Sequence, residues 1–294
     1  MNAARSVGFL LLLGATLLSG CCADGPRTGE PARRGDTVAL VHGLGRTRRS
    51  MRPVENYLRE RGYEVANIGY PSRKMPIEAL AEQVGAEIRA RCAGPERRVH
   101  VVTHSLGGIL LRCYLKDHEI PNLGRVVMLG PPNQGSAVAD VLSKGGFLRA
   151  VMGPAAAQLG TTGVPAQLGP VKFELGVIAG SASWVPFVSR VLAKPHDGLV
   201  SVESAQVEGM RDLLVVPRSH TFLMRDAEVL RQVECFLRDG KFDHGNGGRR
   251  TTDHGPRTWS SAPLIYSTRR LHARFVVRPQ GRRTKPAPRG ATTG

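Results

Sequence analysis

Residues Arg98 to Tyr114 read RVHVVTHSLGGILLRCY. Val99, Val101, Val102 and Thr103 are strand-prone, and the glycine pair after Ser105 opens an apolar run of helical length. Such a pattern predicts a buried strand that breaks into a helix, with a serine at the break. A serine on so sharp a turn presents its hydroxyl beyond the carboxyl end of the strand, provided the residues two before and two after it are small. Gly107 meets the second condition, and Thr103 stands where glycine would meet the first. A serine that only caps a helix is the plainer alternative.

Working outward, Thr37 to His42 (TVALVH) is a second buried strand, running into His42-Gly43-Leu44-Gly45. Ser50 to Arg61 carries Val54, Tyr57 and Leu58 at helical spacing and stops at Gly62. Tyr63 to Ile68 returns to strand, and Pro76 to Cys92 is a helix with proline in its first turn. Beyond the serine, strands are expected at Arg125–Leu129, Glu174–Gly180 and Asp212–Pro217, with a closing helix from Asp226 to Leu237 that ends at Gly240. Alternation of strand and helix in this way predicts an α/β domain, with a mostly parallel central sheet and helices on both faces. Residues 136–172, rich in small residues, glycine and proline, are too irregular for core helices. They read as an insertion over the mouth of a site, a lid or cap, with a surface connector as the alternative.

The 294 residues and 41% apolar content suffice for one such domain with tails. A net charge of +17 suggests nucleic acid, but the distribution argues against a specific nucleic-acid partner. Residues 241–294 hold 12 Lys and Arg against 2 Asp and Glu, leaving the other 240 residues with 29 against 22. This basic tail has low complexity, so disorder is expected, with contact to anionic surfaces as a further role.

Residues 1–22 read as an export leader. Arg5 precedes a short apolar segment, Val7 to Leu18, too short for a comfortable membrane span. Leu18-Ser19-Gly20-Cys21 resembles a bacterial lipobox, which makes Cys21 the lipidated residue and the protein an exported, membrane-anchored lipoprotein. An ordinary secretory signal or an uncleaved anchor are the alternatives. Residues 23–35 are a Gly-, Pro- and Arg-containing linker to a domain spanning 36–240. Cys22, Cys92, Cys113 and Cys235 match no metal spacing and read as ordinary thiols.

Three residues that could act together occur in loops after strands, in the order Ser105, Asp197, His220. A neutral serine hydroxyl needs a histidine to take its proton, and that histidine needs a carboxylate to fix its tautomer. His196 rivals His220, and Glu203, Asp212 and Asp140 rival Asp197; Asp197-Gly198 has the tight turn that would aim a carboxylate inward. The backbone N–H groups of Leu44 and Leu106 would serve as the two donors of an oxyanion hole, with a common Gly-x-Gly turn as the alternative reading of the first loop.

The HGLG loop, the THSLGG turn, GPPNQGS (130–136), DGLVS (197–201) and SHTF (219–222), taken together, resemble bacterial lipases and esterases of the α/β-hydrolase superfamily, triacylglycerol lipases among them. The resemblance covers roughly residues 36–240. It implies hydrolysis of carboxylic, chiefly lipid or acyl, esters through an acyl-serine, with Ser105, Asp197 and His220 as the catalytic residues. No cofactor is implied; some related lipases hold a structural calcium near the acid loop, for which no ligand cluster is evident here. Acyl transfer or thioester cleavage on the same scaffold is a second reading. A catalytically silent binding lipoprotein is a third, favoured only by Thr103.

Overall fold

In a computed structural model of the chain, residues 35–245 are described apart from 93, 95–96, 144–149 and 184–187. The leader with Cys21, the linker up to residue 34 and the tail beyond 245 lie outside the described residues.

Six strands form one sheet: β1 (Thr37–Val41), β2 (Glu64–Ile68), β3 (Val99–His104), β4 (Leu123–Leu129), β5 (Leu175–Gly180) and β6 (Asp212–Val216). Their spatial order is β2-β1-β3-β4-β5-β6, and every pairing is parallel. β1, β3 and β5 are buried along their whole length, as expected of strands covered on both faces. Edge strand β2 begins exposed.

The covering helices follow from the alternation of side chains along the strands. Val38 and Leu40 of β1 face one way, joined by Val102 of β3 and Ile178 of β5. Onto this face pack α1 (Arg52–Glu60), through Val54 and Leu58, and the closing helix. Ala39, Val41 and Val101 face the other way, against α2 (Ile77–Arg91) and α3 (Leu106–Asp117). Where Ser50–Arg61 was expected to form one helix, a short 3-10 turn, Arg48–Met51, precedes α1, and Pro53 sits in the first turn of α1, where its missing N–H costs nothing.

Among the described residues of 136–172 are the short helices α4 (Ala137–Ser143), α5 (Pro154–Ala157) and α6 (Val164–Gln167). Ala155, Leu159 and Val171 join the core on the α2–α3 face, so the segment is packed onto the domain rather than strung across its surface. Asp140 holds it together by accepting from the N–H and hydroxyl of Thr161. A single-turn helix, α7 (Val202–Ala205), follows the acid loop.

The closing helix, α8 (Ala227–Asp239), is capped at its start by the Asp226 side chain, which accepts from the N–H groups of Glu228 and Val229. Gly240 ends it in the left-handed conformation, φ 71°. Packed chain continues past the expected boundary at Gly240. Phe242 is buried against Phe236, and its N–H donates to Asp212. An apolar residue just after the helix cap explains the extension, and the charge count of the tail gave no sign of it.

Candidate active site

The chain leaves β1 toward β2 on one side and reaches β3 on the other, so the order of strands reverses between β1 and β3. In open parallel sheets the crevice beyond the carboxyl ends at such a point is where ligands bind. The loops after these two strands carry Leu44 and Ser105, and Asp197 and His220 follow β5 and β6.

Ser105 follows β3 with φ 53° and ψ −121°. A non-glycine residue rarely holds this backbone conformation, and it persists only where the surroundings enforce it. Here the serine N–H donates to the Leu129 carbonyl, and its own carbonyl accepts from Gly108 N–H. Gly107 is small by necessity, since a Cβ there would stand 2.7 Å from the Val41 carbonyl oxygen. Thr103 is accommodated by its neighbour. A Cβ on Gly108 would come within 3.2 Å of Thr103 Oγ1, so the second glycine of THSLGG supplies the room that the threonine takes up.

The His42–Gly45 loop closes over the serine, and a Cβ on Gly43 would lie 3.0 Å from Ser105 Cβ. Gly45 N–H donates to Ser72 Oγ at 3.0 Å, and the buried Tyr70 hydroxyl donates to the His42 carbonyl at 2.5 Å. These bonds brace the loop against the segment after β2. Leu44 lines the resulting cavity, and Leu106 opens α3, where a helix leaves its first N–H groups without an acceptor of its own.

Asp197 and His220 meet directly. His220 Nδ1 lies 2.7 Å from Asp197 Oδ2, and both side chains are buried. The other carboxylate oxygen accepts from the N–H groups of Leu199 (2.9 Å) and Val200 (2.8 Å), which fixes its orientation. Gly130, at the end of β4, lies behind the pair; a Cβ there would stand 3.0 Å from His220 Nδ1 and 3.1 Å from Asp197 Oδ2.

The rivals are engaged elsewhere. His196 accepts from Gly198 N–H through Nδ1 and pairs through Nε2 with Ser189. Asp212 bonds His244 and Phe242 N–H, and Asp140 serves Thr161. His104 donates through Nε2 to the His220 carbonyl at 3.1 Å, leaving Nδ1 buried without a partner. Burial, the largest influence, holds its pKa well below the ordinary imidazole value. Burial also lowers that of His42, whose ring stacks on Tyr70.

Two histidines kept neutral in the folded chain have a consequence for stability. Their folded pKa values lie below those of the unfolded chain, so the unfolded chain binds more protons once pH falls through about 6.5. Stability contributed by these groups is therefore present above that pH and lost below it, at a limiting slope of about 1.4 kcal/mol per pH unit for each. Urea unfolding at pH 7.5, 6.0 and 5.0 is expected to give a falling midpoint with an unchanged m-value.

One cavity of about 360 Å³ is lined by Ser105, His104, His220 and Leu44 together with residues of the cap. Val138, Ala139, Met152, Ala156 and Leu159 supply an apolar wall, with Leu199 and Val200 of the acid loop opposite. Ser105 and His220 thus face one space, and Asp197 stands behind His220. Among the described residues, no group of three or more His, Cys, Asp or Glu is placed to hold a metal ion.

Sequence reasoning missed the residues that position the site. Arg112 of α3 is buried and donates to Asn133 O (2.9 Å), Asn133 Oδ1 (3.1 Å) and Gly169 O (2.7 Å). Asn133 in turn donates to the Ala205 carbonyl, so one guanidinium ties GPPNQGS to both the cap and the acid loop. Desolvation drops the Arg112 pKa to about 10, so it stays charged at neutral pH. Arg112→Met would leave these acceptors unsatisfied and is expected to cost roughly 3 kcal/mol in urea unfolding.

A parallel sheet wound on both faces, with a serine on the strained turn after β3 and a buried Asp–His pair at the same end, is the α/β-hydrolase fold. Solved structures agree. The chain is similar in fold to the lipase BlEst2 of Bacillus licheniformis in its mature form, with TM-score 0.61 and 18% identity over 72% of this chain and 96% of that one. It is likewise similar to the metagenomic carboxyl esterase MGS0156, with TM-score 0.57 and 20% identity over 68% and 69% of the two chains. No protein-family model and no curated protein matches the sequence.

Proposed function

We propose that the protein is a serine hydrolase that cleaves carboxylic esters bearing a hydrocarbon acyl chain. The observation that carries this reading is the 2.7 Å Asp197–His220 hydrogen bond, with His220 lining the same cavity as a serine held at positive φ. Asp197 accepts the His220 Nδ1 proton and leaves the lone pair of Nε2 free to take the proton of Ser105. The serine Oγ attacks the acyl carbon. The N–H groups of Leu44 and Leu106 stabilise the oxyanion, each donor contributing about 3 kcal/mol to lowering the barrier. Collapse expels the alcohol, protonated by His220. Water, deprotonated by the same histidine, then releases the acid and restores Ser105. None of these steps calls for a cofactor.

The apolar wall formed by the cap receives the acyl chain in this reading. Across a series of p-nitrophenyl esters, kcat/KM is expected to rise about fourfold per added methylene while the wall is being filled, from about 0.8 kcal/mol per buried CH₂, and then to level off. A flat profile from acetate upward would remove the acyl-pocket assignment. For location, the proposal rests on the leader alone. Residues 1–22 with Cys21 favour an exported protein held at a membrane by its lipidated cysteine, and mass analysis of the mature N-terminus tests it. Among the described residues no helix is long and apolar enough to cross a membrane.

A further inference from the structure

The mouth of the cavity carries two arginines that the reaction does not use. Arg46 and Arg73 both line the space that holds Ser105 and His220, and among the described residues no Asp or Glu lines it with them. They come from different loops, after β1 and after β2, that touch each other just before the two arginines. Arg46 directly follows Gly45, and Arg73 directly follows Ser72, and Gly45 N–H and Ser72 Oγ are hydrogen-bonded at 3.0 Å. The Arg73 backbone is fixed in turn by the cap. Gly153, at φ 81°, lies so close that a Cβ on it would collide with the Arg73 carbonyl. Arg46 reaches toward the histidine loop, where Nη2 donates to Thr221 Oγ1 at 3.3 Å, one residue after His220.

Elsewhere on the domain arginines meet carboxylates, as Arg61 meets Glu234 and Arg211 meets Glu174. Among the described residues, Arg46 and Arg73 have no carboxylate within 4.0 Å, and the Arg73 side chain has no hydrogen-bond partner. A guanidinium carries five N–H donors in a rigid fork that fits the oxygens of a carboxylate or phosphate. Two such forks at one edge of a cleft with an apolar cap wall offer donors suited to an anion, and among the described residues no protein carboxylate takes them up.

Resting on the ester-hydrolase reading, we infer that the substrate is an anionic amphiphile: an ester whose hydrocarbon part lies on the cap wall and whose carboxylate or phosphate is held by Arg46 and Arg73. The arginines are specificity residues and take no part in the chemical steps. Their grip selects charged esters over neutral ones of equal chain length.

The test compares 4-nitrophenyl octanoate with two anionic relatives, 3-carboxy-4-nitrophenyl octanoate, charged on the leaving group, and mono-4-nitrophenyl suberate, charged on the acyl end. The inference expects kcat/KM for at least one charged ester to exceed that for the neutral one. It also expects this ratio to fall about tenfold in R46M/R73M and to be largely kept in R46K/R73K, because lysine retains the charge. All three esters are soluble single molecules at assay concentration, so attraction of the basic rim to a membrane cannot produce the effect. A ratio unchanged within twofold in R46M/R73M for both charged esters would overturn the inference. If the protein hydrolyses no ester, calorimetry still decides the anion site separately from the catalytic reading. Octanoate binding tighter than octanamide, and losing that advantage in R46M/R73M, would uphold the site while removing the hydrolase. Equal binding of the two would remove both.

Discussion

Replacing Ser105 with alanine is expected to lower kcat for a p-nitrophenyl ester by roughly ten-thousand- to million-fold, which leaves only the acceleration due to binding and oxyanion stabilisation. The fold is expected to survive the change. Both hydrogen bonds that hold the turn are made by the backbone of residue 105, to the Leu129 carbonyl and from Gly108 N–H, and alanine keeps them. Alanine bears the same Cβ and so meets the same steric cost at φ 53° that serine already bears. Unfolding by urea should thus give the same midpoint within about 0.5 kcal/mol, as for a substitution that neither opens a cavity nor orphans a buried group. Activity lost together with stability would instead make Ser105 a structural residue.

Asp197→Asn is expected to lower kcat about ten-thousand-fold with KM little changed. The reason lies in which proton goes where. In the native site the carboxylate accepts from His220 Nδ1 at 2.7 Å through one oxygen and from Leu199 and Val200 N–H through the other. Asparagine can keep the two backbone bonds with its carbonyl oxygen, which turns its NH₂ toward His220. Nδ1 must then accept rather than donate, the ring proton moves to Nε2, and the base that should receive the Ser105 proton is already occupied. Asp197→Ala should differ from this by also losing stability, roughly 1–3 kcal/mol, because two buried N–H groups lose their acceptor. Comparing the two variants by kinetics and urea unfolding separates the tautomer effect from the structural one.

Much of this site was legible in the chain because its determinants are local. TVALV and VHVVTH are short β-branched runs bounded by glycine or charge, and in a sheet covered on both faces nothing more is needed to mark β1 and β3. The turn at Ser105 announces itself through Gly107, whose absent side chain spares the Val41 carbonyl. The order Ser105, Asp197, His220 is likewise a property of sequence, and the fold brings the last two within 2.7 Å of each other. What stayed hidden depends on residues distant in the chain. Gly130 looks like an ordinary turn glycine after β4 until His220 and Asp197, from two later loops, are seen against it. Arg112 reads as a charge in an apolar helix, and only Asn133 and Gly169, brought to it by the fold, account for its burial. The Gly45–Ser72 bond that joins the loops of Arg46 and Arg73 links residues 27 positions apart with no motif between them. Thr103 pointed toward an inactive fold when taken as a departure from a pattern. With Gly108 making room for it, that argument loses its force.

The central claim is that Ser105 carries the acyl group during turnover. The most direct measurement is intact and peptide mass spectrometry of the protein after brief exposure to a fluorophosphonate probe and, separately, to p-nitrophenyl octanoate quenched in acid. The account predicts one adduct per chain, located on the peptide containing Ser105, absent in Ser105→Ala and strongly reduced in Asp197→Asn. A folded protein that hydrolyses the ester while carrying no adduct on Ser105, or that is labelled equally in Ser105→Ala, would contradict it.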